Sequence, residues 1–96
     1  MSRPTRFKFR LYIAGDTQNS AQALANLTAL CMVHLLNRHE IEIVDVLRDP
    51  KRALAGGIFM TPTLLKLVPS PEQKIVGTLS DQLQVLKVLG LRTLAA

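Results

Sequence analysis

Between Phe7 and Leu47 the hydrophobic period changes from two to near 3.6 and back to two. That double change limits the fold more than any other feature of the sequence. Phe7, Phe9, Leu11 and Ile13 alternate with Lys8, Arg10 and Tyr12, the pattern of a strand with one apolar face. Gly15 and Asp16 end that run. Leu24, Leu27, Cys31 and Leu35 then recur at three- and four-residue steps, with Ala21, Leu30 and Leu36 beside them. Alanines at 21, 23, 25 and 29 favour helix. Thr17, Asn19 and Ser20 are the N-cap candidates, and Gln22 stands three residues after Asn19, as in a capping box. The helix is expected to run about five turns, to Asn37–His39. Alternation resumes at Ile41–Leu47, so a helix joins two strands, which pair in parallel through a right-handed crossover.

The remaining residues complete the order. Asp49 and Pro50 start a short helix over Lys51–Ala55, which Gly56 and Gly57 close. Thr61 and Pro62 precede an apolar strand over Leu64–Val68. Pro69–Pro71 turns the chain into a short strand over Lys74–Gly77. Ser80 and Asp81 cap a last helix with Leu83, Val85, Leu86, Val88 and Leu89 on its apolar face, ending at Gly90. The order is βαβαββα, an α/β, thioredoxin-like architecture with a parallel pair followed by an antiparallel hairpin. In that architecture Pro62 is the candidate cis-proline, and Gly15 and Gly77 take structural roles. Ninety-six residues suffice for one domain spanning 1–96, with residues 1–6 expected to be a flexible basic N-terminus.

The chemistry of that architecture is absent. Its enzymes need a thiolate at the start of the first helix, where the helix dipole lowers the thiol pKa. Thr17 and Ser20 stand at the Cys-x-x-Cys spacing instead, which excludes disulfide exchange. The single thiol, Cys31, falls mid-helix on the apolar stripe and reads as a small buried hydrophobe. His34 and His39 are five residues apart, off the i, i+4 spacing of a metal pair. Glu40 and Glu42 share one strand face while Asp45 points to the other, so they form no acid–base pair. No catalytic residue, metal site or cofactor is expected.

The formal charge is +5, from 12 basic and 7 acidic residues. Arg3, Arg6, Lys8 and Arg10 gather in the first ten positions with no acid among them. Without Trp, the cluster reads as a surface for an acidic protein partner rather than for nucleic acid. No apolar run is long enough to span a membrane, and one cysteine allows no internal disulfide, so a cytoplasmic protein is expected.

Five blocks carry a family likeness: Leu11–Ser20, Ile43–Pro50, Thr61–Leu64, Lys66–Pro71 and Ile75–Ser80. In this order and spacing the chain resembles the KaiB family of circadian clock proteins, as a divergent member. The resemblance implies a non-enzymatic adaptor that docks on a KaiC-type ATPase and gates a KaiA-like protein or a sensor histidine kinase. It implies a dimer or tetramer, and a second, fold-switched arrangement of the C-terminal half. Arg10, Lys66 and Lys74 match basic positions that hold the partner in the family. Gln22, Glu42 and Gly57 stand where such positions are commonly basic, and Thr78 stands for an aspartate. The end of the chain at Ala96 fits the stand-alone form rather than the sensor domain of a kinase. The rival readings are a stress or signalling protein that binds a kinase without a clock, and a redox enzyme using Thr17, Ser20 or Cys31.

Overall fold

The computed structural model describes residues 5–91. In chain order these form β1 (Phe7–Ile13), α1 (Gln18–His34), β2 (His39–Asp45), α2 (Pro50–Ala55), β3 (Thr63–Val68), β4 (Gln73–Val76) and α3 (Gln82–Leu89). The sheet order is β2-β1-β3-β4. β1 and β2 run parallel, and the β1–β3 and β3–β4 pairs are antiparallel. This is the expected βαβαββα order in a mixed α/β, thioredoxin-like sheet. Of the basic N-terminus expected over residues 1–6, residues 1–4 lie outside the described residues. Thr5 is tied down: its carbonyl accepts from Arg38 Nε at 3.1 Å.

One face of the sheet carries the main core. Phe7, Phe9 and Leu11 from β1 and Leu64 from β3 meet Ala23, Leu27, Leu30, Cys31 and Leu35 from α1 and the following turn. Leu79, Val85, Leu86 and Leu89 close the core from the α3 side. Each of the Phe, Leu and Val side chains contributes about 1.5–3 kcal/mol on burial, against about 0–1 kcal/mol for an exposed ion pair, so this layer holds the fold.

Packing moves several residues from their expected places. The buried stripe of α1 runs through Ser20, Ala23, Leu27, Leu30 and Cys31, while Leu24 turns outward. The small Ala23 lets the helix sit close to the sheet, which the bulk of Leu24 would prevent. Thr17 is the N-cap, accepting from Ser20 N–H, so the Asn19–Gln22 capping box does not form. Gln22 instead donates to Ser80 Oγ at 3.2 Å, and Asn26 donates to the Thr78 carbonyl at 2.8 Å. With Ser80 engaged there, the α3 cap is Asp81, whose carboxylate accepts from Gln84 N–H. β2 ends at Asp45, two residues early, because its carboxylate accepts from Leu47 N–H and turns the chain. Leu83 on α3 is exposed rather than part of the apolar face.

The second sheet face is only partly covered. Tyr12, expected among polar neighbours, is fully buried there with Val44, Ala53 and Ile58. The register explains it: Tyr12 pairs with Val44, and α2 lies over both. At 1.5 Å per residue the six-residue α2 is roughly 9 Å long, against about 23 Å for a seven-residue strand. Lys8, Glu40, Glu42, Lys74 and Val76 on this face stay exposed.

Candidate functional site

Three places on the fold bear on function: the start of α1, the open sheet face, and a groove behind β3. At the start of α1, hydroxyls occupy the ground where a dithiol would work. Thr17 Oγ1 donates to Ser20 Oγ at 2.8 Å, and Ser20 Oγ accepts from Ala14 N–H at 3.1 Å. Ser20 is 2% exposed, so its hydroxyl ties α1 to the end of β1 and faces no substrate. Gly15 N–H donates to Asp45 Oδ1 at 3.1 Å, joining this loop to the end of β2. Gly15 has φ 57, the left-handed region that favours glycine, and a Cβ there would stand 3.1 Å from Leu47 Cδ1, the end of an exposed side chain.

Cys31 is wholly buried, and loss of water pushes its thiol up to about 11. It stays protonated at neutral pH and supplies no thiolate. The Thr61–Pro62 peptide bond is cis, and the Pro62 carbonyl accepts from Gly77 N–H at 2.9 Å. Gly77, at φ 119, makes the turn that brings its N–H to that acceptor. Among the described residues no group of three His, Cys, Asp or Glu side chains gathers to hold a metal. His39 Nδ1 sits 2.8 Å from the Leu35 carbonyl at the start of β2.

The open sheet face brings two of the expected binding residues together. Glu42, Arg10, Leu65 and Lys74 lie side by side across all four strands, by the registers of β2, β1, β3 and β4. Lys8 and Glu40 form the next row of the β1–β2 pair. Glu42 accepts from Arg10 Nε at 2.7 Å and meets Arg52 of α2 at 3.0 Å. The hydrogen bond from Arg52, then that from Arg10, brings the Glu42 carboxyl down to about 2. Lys8 and Glu40 pair loosely at 3.7 Å. Four cations thus face two carboxylates, and Lys74 is exposed with no carboxylate within 4.0 Å among the described residues. Beside this row, around α2, Leu54, Phe59 and Met60 are exposed, Phe59 at 90%.

Lys66 is not part of that surface. It lies on the core face of β3, two residues after Leu64, and is 4% exposed with its Nζ 6.0 Å from the centre of the Phe7 ring. Sequence reading missed this burial, and it missed Tyr12. The signals were there: Lys66 keeps the parity of Leu64, and Tyr12 that of Val44 once the parallel register is set.

The fold and these sites define a thioredoxin-like domain in which hydroxyls replace the dithiol and the single thiol is buried. The KaiB domain family matches residues 10–91, and the chain belongs to the KaiB family. It is 44% identical over 81 residues to circadian clock protein KaiB3 of Synechocystis, covering 84% of this chain and 79% of that protein. It is 38% identical over 86 residues to the circadian clock oscillator protein KaiB of Synechococcus elongatus, covering 90% of this chain and 84% of the relative. Among solved structures, the N-terminal domain of Synechococcus elongatus SasA superposes with a TM-score of 0.74 at 17% identity, covering 100% of this chain and 94% of that one. Mitochondrial thioredoxin 3 of Saccharomyces cerevisiae superposes at 0.71 and 16% identity, covering 91% and 80%. These structural likenesses establish the fold. Among the described residues no helix is long and apolar enough to cross a membrane.

Proposed function

We propose that this chain is a non-enzymatic KaiB-like adaptor, acting in the cytoplasm, that docks on a KaiC-type ATPase and so modulates circadian or related signalling. The observation that carries the reading is membership of the KaiB family across residues 10–91. The buried Cys31 and the hydrogen-bonded Thr17 and Ser20 support it, because they leave the thioredoxin-like fold without its thiol chemistry. The docking surface is the open sheet face carrying Arg10 and Lys74, with the exposed apolar side chains beside α2. An excess of cations there favours an acidic partner, and the attraction weakens with salt because its groups are exposed. Arg10 acts with its charge partly taken up by Glu42, so Lys74 carries the larger share of the attraction. Lys66, on the other face, acts away from this surface.

A KaiA-like protein or a sensor histidine kinase would join or compete at the resulting complex, and the unbound chain would rest as a dimer or tetramer. The test is to mix the protein with the KaiC-type ATPase of its own source, with ATP or ADP, and follow co-migration by native size exclusion. A stable complex in at least one nucleotide state is expected. Absence of a complex in both overturns the reading. Repeating the run with the source's sensor kinase separates the two partners, and a dilution series of the chain alone reads its own assembly.

A further inference from the structure

Lys66 and Arg38 line one groove at the end of the sheet, between the Pro69–Pro71 turn and the end of α3. The groove holds about 440 Å³, within the range of small-ligand sites, roughly 300–1,000 Å³. Phe7, Pro69, Pro71, Val88 and Leu89 form an apolar stretch of its wall, and Thr5, Ser70 and Gln73 add polar groups.

Lys66 is unusual in this setting. All seven Asp and Glu residues of the sequence lie among the described residues, and none lines the groove or comes within 4.0 Å of the Lys66 ammonium. A buried ammonium without a counter-charge is costly, and the Phe7 ring offsets only part of that cost. Among the described residues no fully enclosed side-chain nitrogen or oxygen lacks a partner, so the Lys66 Nζ, which makes no hydrogen bond or ion pair there, is reached from the groove that Lys66 lines. Arg38 spends one of its five N–H donors on the Thr5 carbonyl, which fixes the guanidinium at the rim. A groove with an apolar stretch of wall, two cations and, among the described residues, no carboxylate is complementary to a molecule with an apolar body and an anionic head.

We infer that this groove binds a small amphipathic anion, with its carboxylate or phosphate head on Lys66 and Arg38 and its apolar body along Phe7, Pro69, Pro71 and Val88. The site is separate from the open sheet face, because Lys66 and Lys74 lie on opposite faces of the sheet.

The experiment titrates the full chain with octanoate, octyl phosphate, octanol and inorganic phosphate, following backbone amide shifts of Phe7, Lys66, Leu89 and Leu91. Octanoate or octyl phosphate should saturate these shifts, and which of them binds tighter identifies the head group. Octanol and inorganic phosphate should each bind at least about tenfold more weakly, since each lacks half of the ligand. Lys66→Met keeps an unbranched side chain one atom shorter, removes the charge and should weaken octanoate by about tenfold or more. Arg38→Gln should weaken it as well and serves if Lys66→Met does not fold. Lys74→Glu should leave octanoate affinity unchanged, which separates this site from the docking surface. No saturable shift with either amphipathic anion overturns the proposal. So do octanol or inorganic phosphate binding as tightly as octanoate, or an unchanged affinity in the folded Lys66 or Arg38 variant.

Discussion

Replacing Ser20 by alanine tests whether the dithiol position has become part of the framework. The Ser20 hydroxyl accepts from Ala14 N–H at 3.1 Å and from Thr17 Oγ1 at 2.8 Å, in a site only 2% exposed. Alanine leaves the Ala14 N–H without its partner, a loss of about 1–3 kcal/mol for a buried donor. Ala14 is half-buried, so water recovers part of that loss. Alanine also returns up to about 0.7 kcal/mol of helix propensity. The net expectation is a destabilisation of about 1–2 kcal/mol, or roughly 4–16 °C in Tm for a domain of this size. Urea unfolding followed by far-ultraviolet circular dichroism reads it directly, as a lower midpoint at unchanged slope. Thr17→Val breaks the same hydroxyl pair and should cost about 1 kcal/mol as a lost cap. The double variant should cost less than the two together, because both remove one shared hydrogen bond. A Ser20→Ala change below about 0.5 kcal/mol, the usual range for surface substitutions, would show that the hydroxyl has no such framework role.

Other expectations follow from single side chains. Cys31, with its thiol raised to about 11, should not react with Ellman's reagent in the native protein at mildly alkaline pH, and should react once urea unfolds the chain; prompt stoichiometric reaction of the native protein would contradict its burial. Glu42 has its carboxyl lowered from 4.5 to about 2, so its pairing stabilises the fold fully above the ordinary value and the contribution fades as pH falls through about 2. Glu42→Gln should therefore lower stability above about pH 5 and converge with the parent near pH 2. Because Glu42 is 46% exposed, solvent screening holds the difference to about 1 kcal/mol at most, and a constant difference across that range would refute the assignment. Gly15→Ala should cost about 1–3 kcal/mol in urea unfolding, from the left-handed backbone and the approach to Leu47; a neutral result would mean the loop shifts freely.

Most of the fold was legible because its elements announce themselves locally. The alternation in Phe7–Ile13, the alanine-rich helix and the Gly and Pro breaks each follow from the backbone preferences of a few neighbouring residues. What escaped depends on contacts distant in sequence. Tyr12 is buried because Val44, Ala53 and Ile58 come to it, and Lys66 because it continues a core face that ends at an open groove. Ser80 looked like a cap, yet Gln22 and Asn26, more than fifty residues away, draw it into a different contact. The candidate binding residues could be picked out singly by their basic character. Only the strand register shows that Arg10 and Lys74 share a row while Lys66 faces the other way.

Lys74 is the most direct probe of the proposed docking on an acidic ATPase partner through the open sheet face, because it is exposed and has no ion-pair partner among the described residues. The measurement is the Kd for the KaiC-type ATPase at low and at physiological salt, for the parent chain and for Lys74→Glu. The parent should bind saturably and more weakly as salt rises, and the variant should lose about tenfold or more in affinity, about 1.4 kcal/mol. Equal affinity of parent and variant, or no binding by the parent, would contradict it.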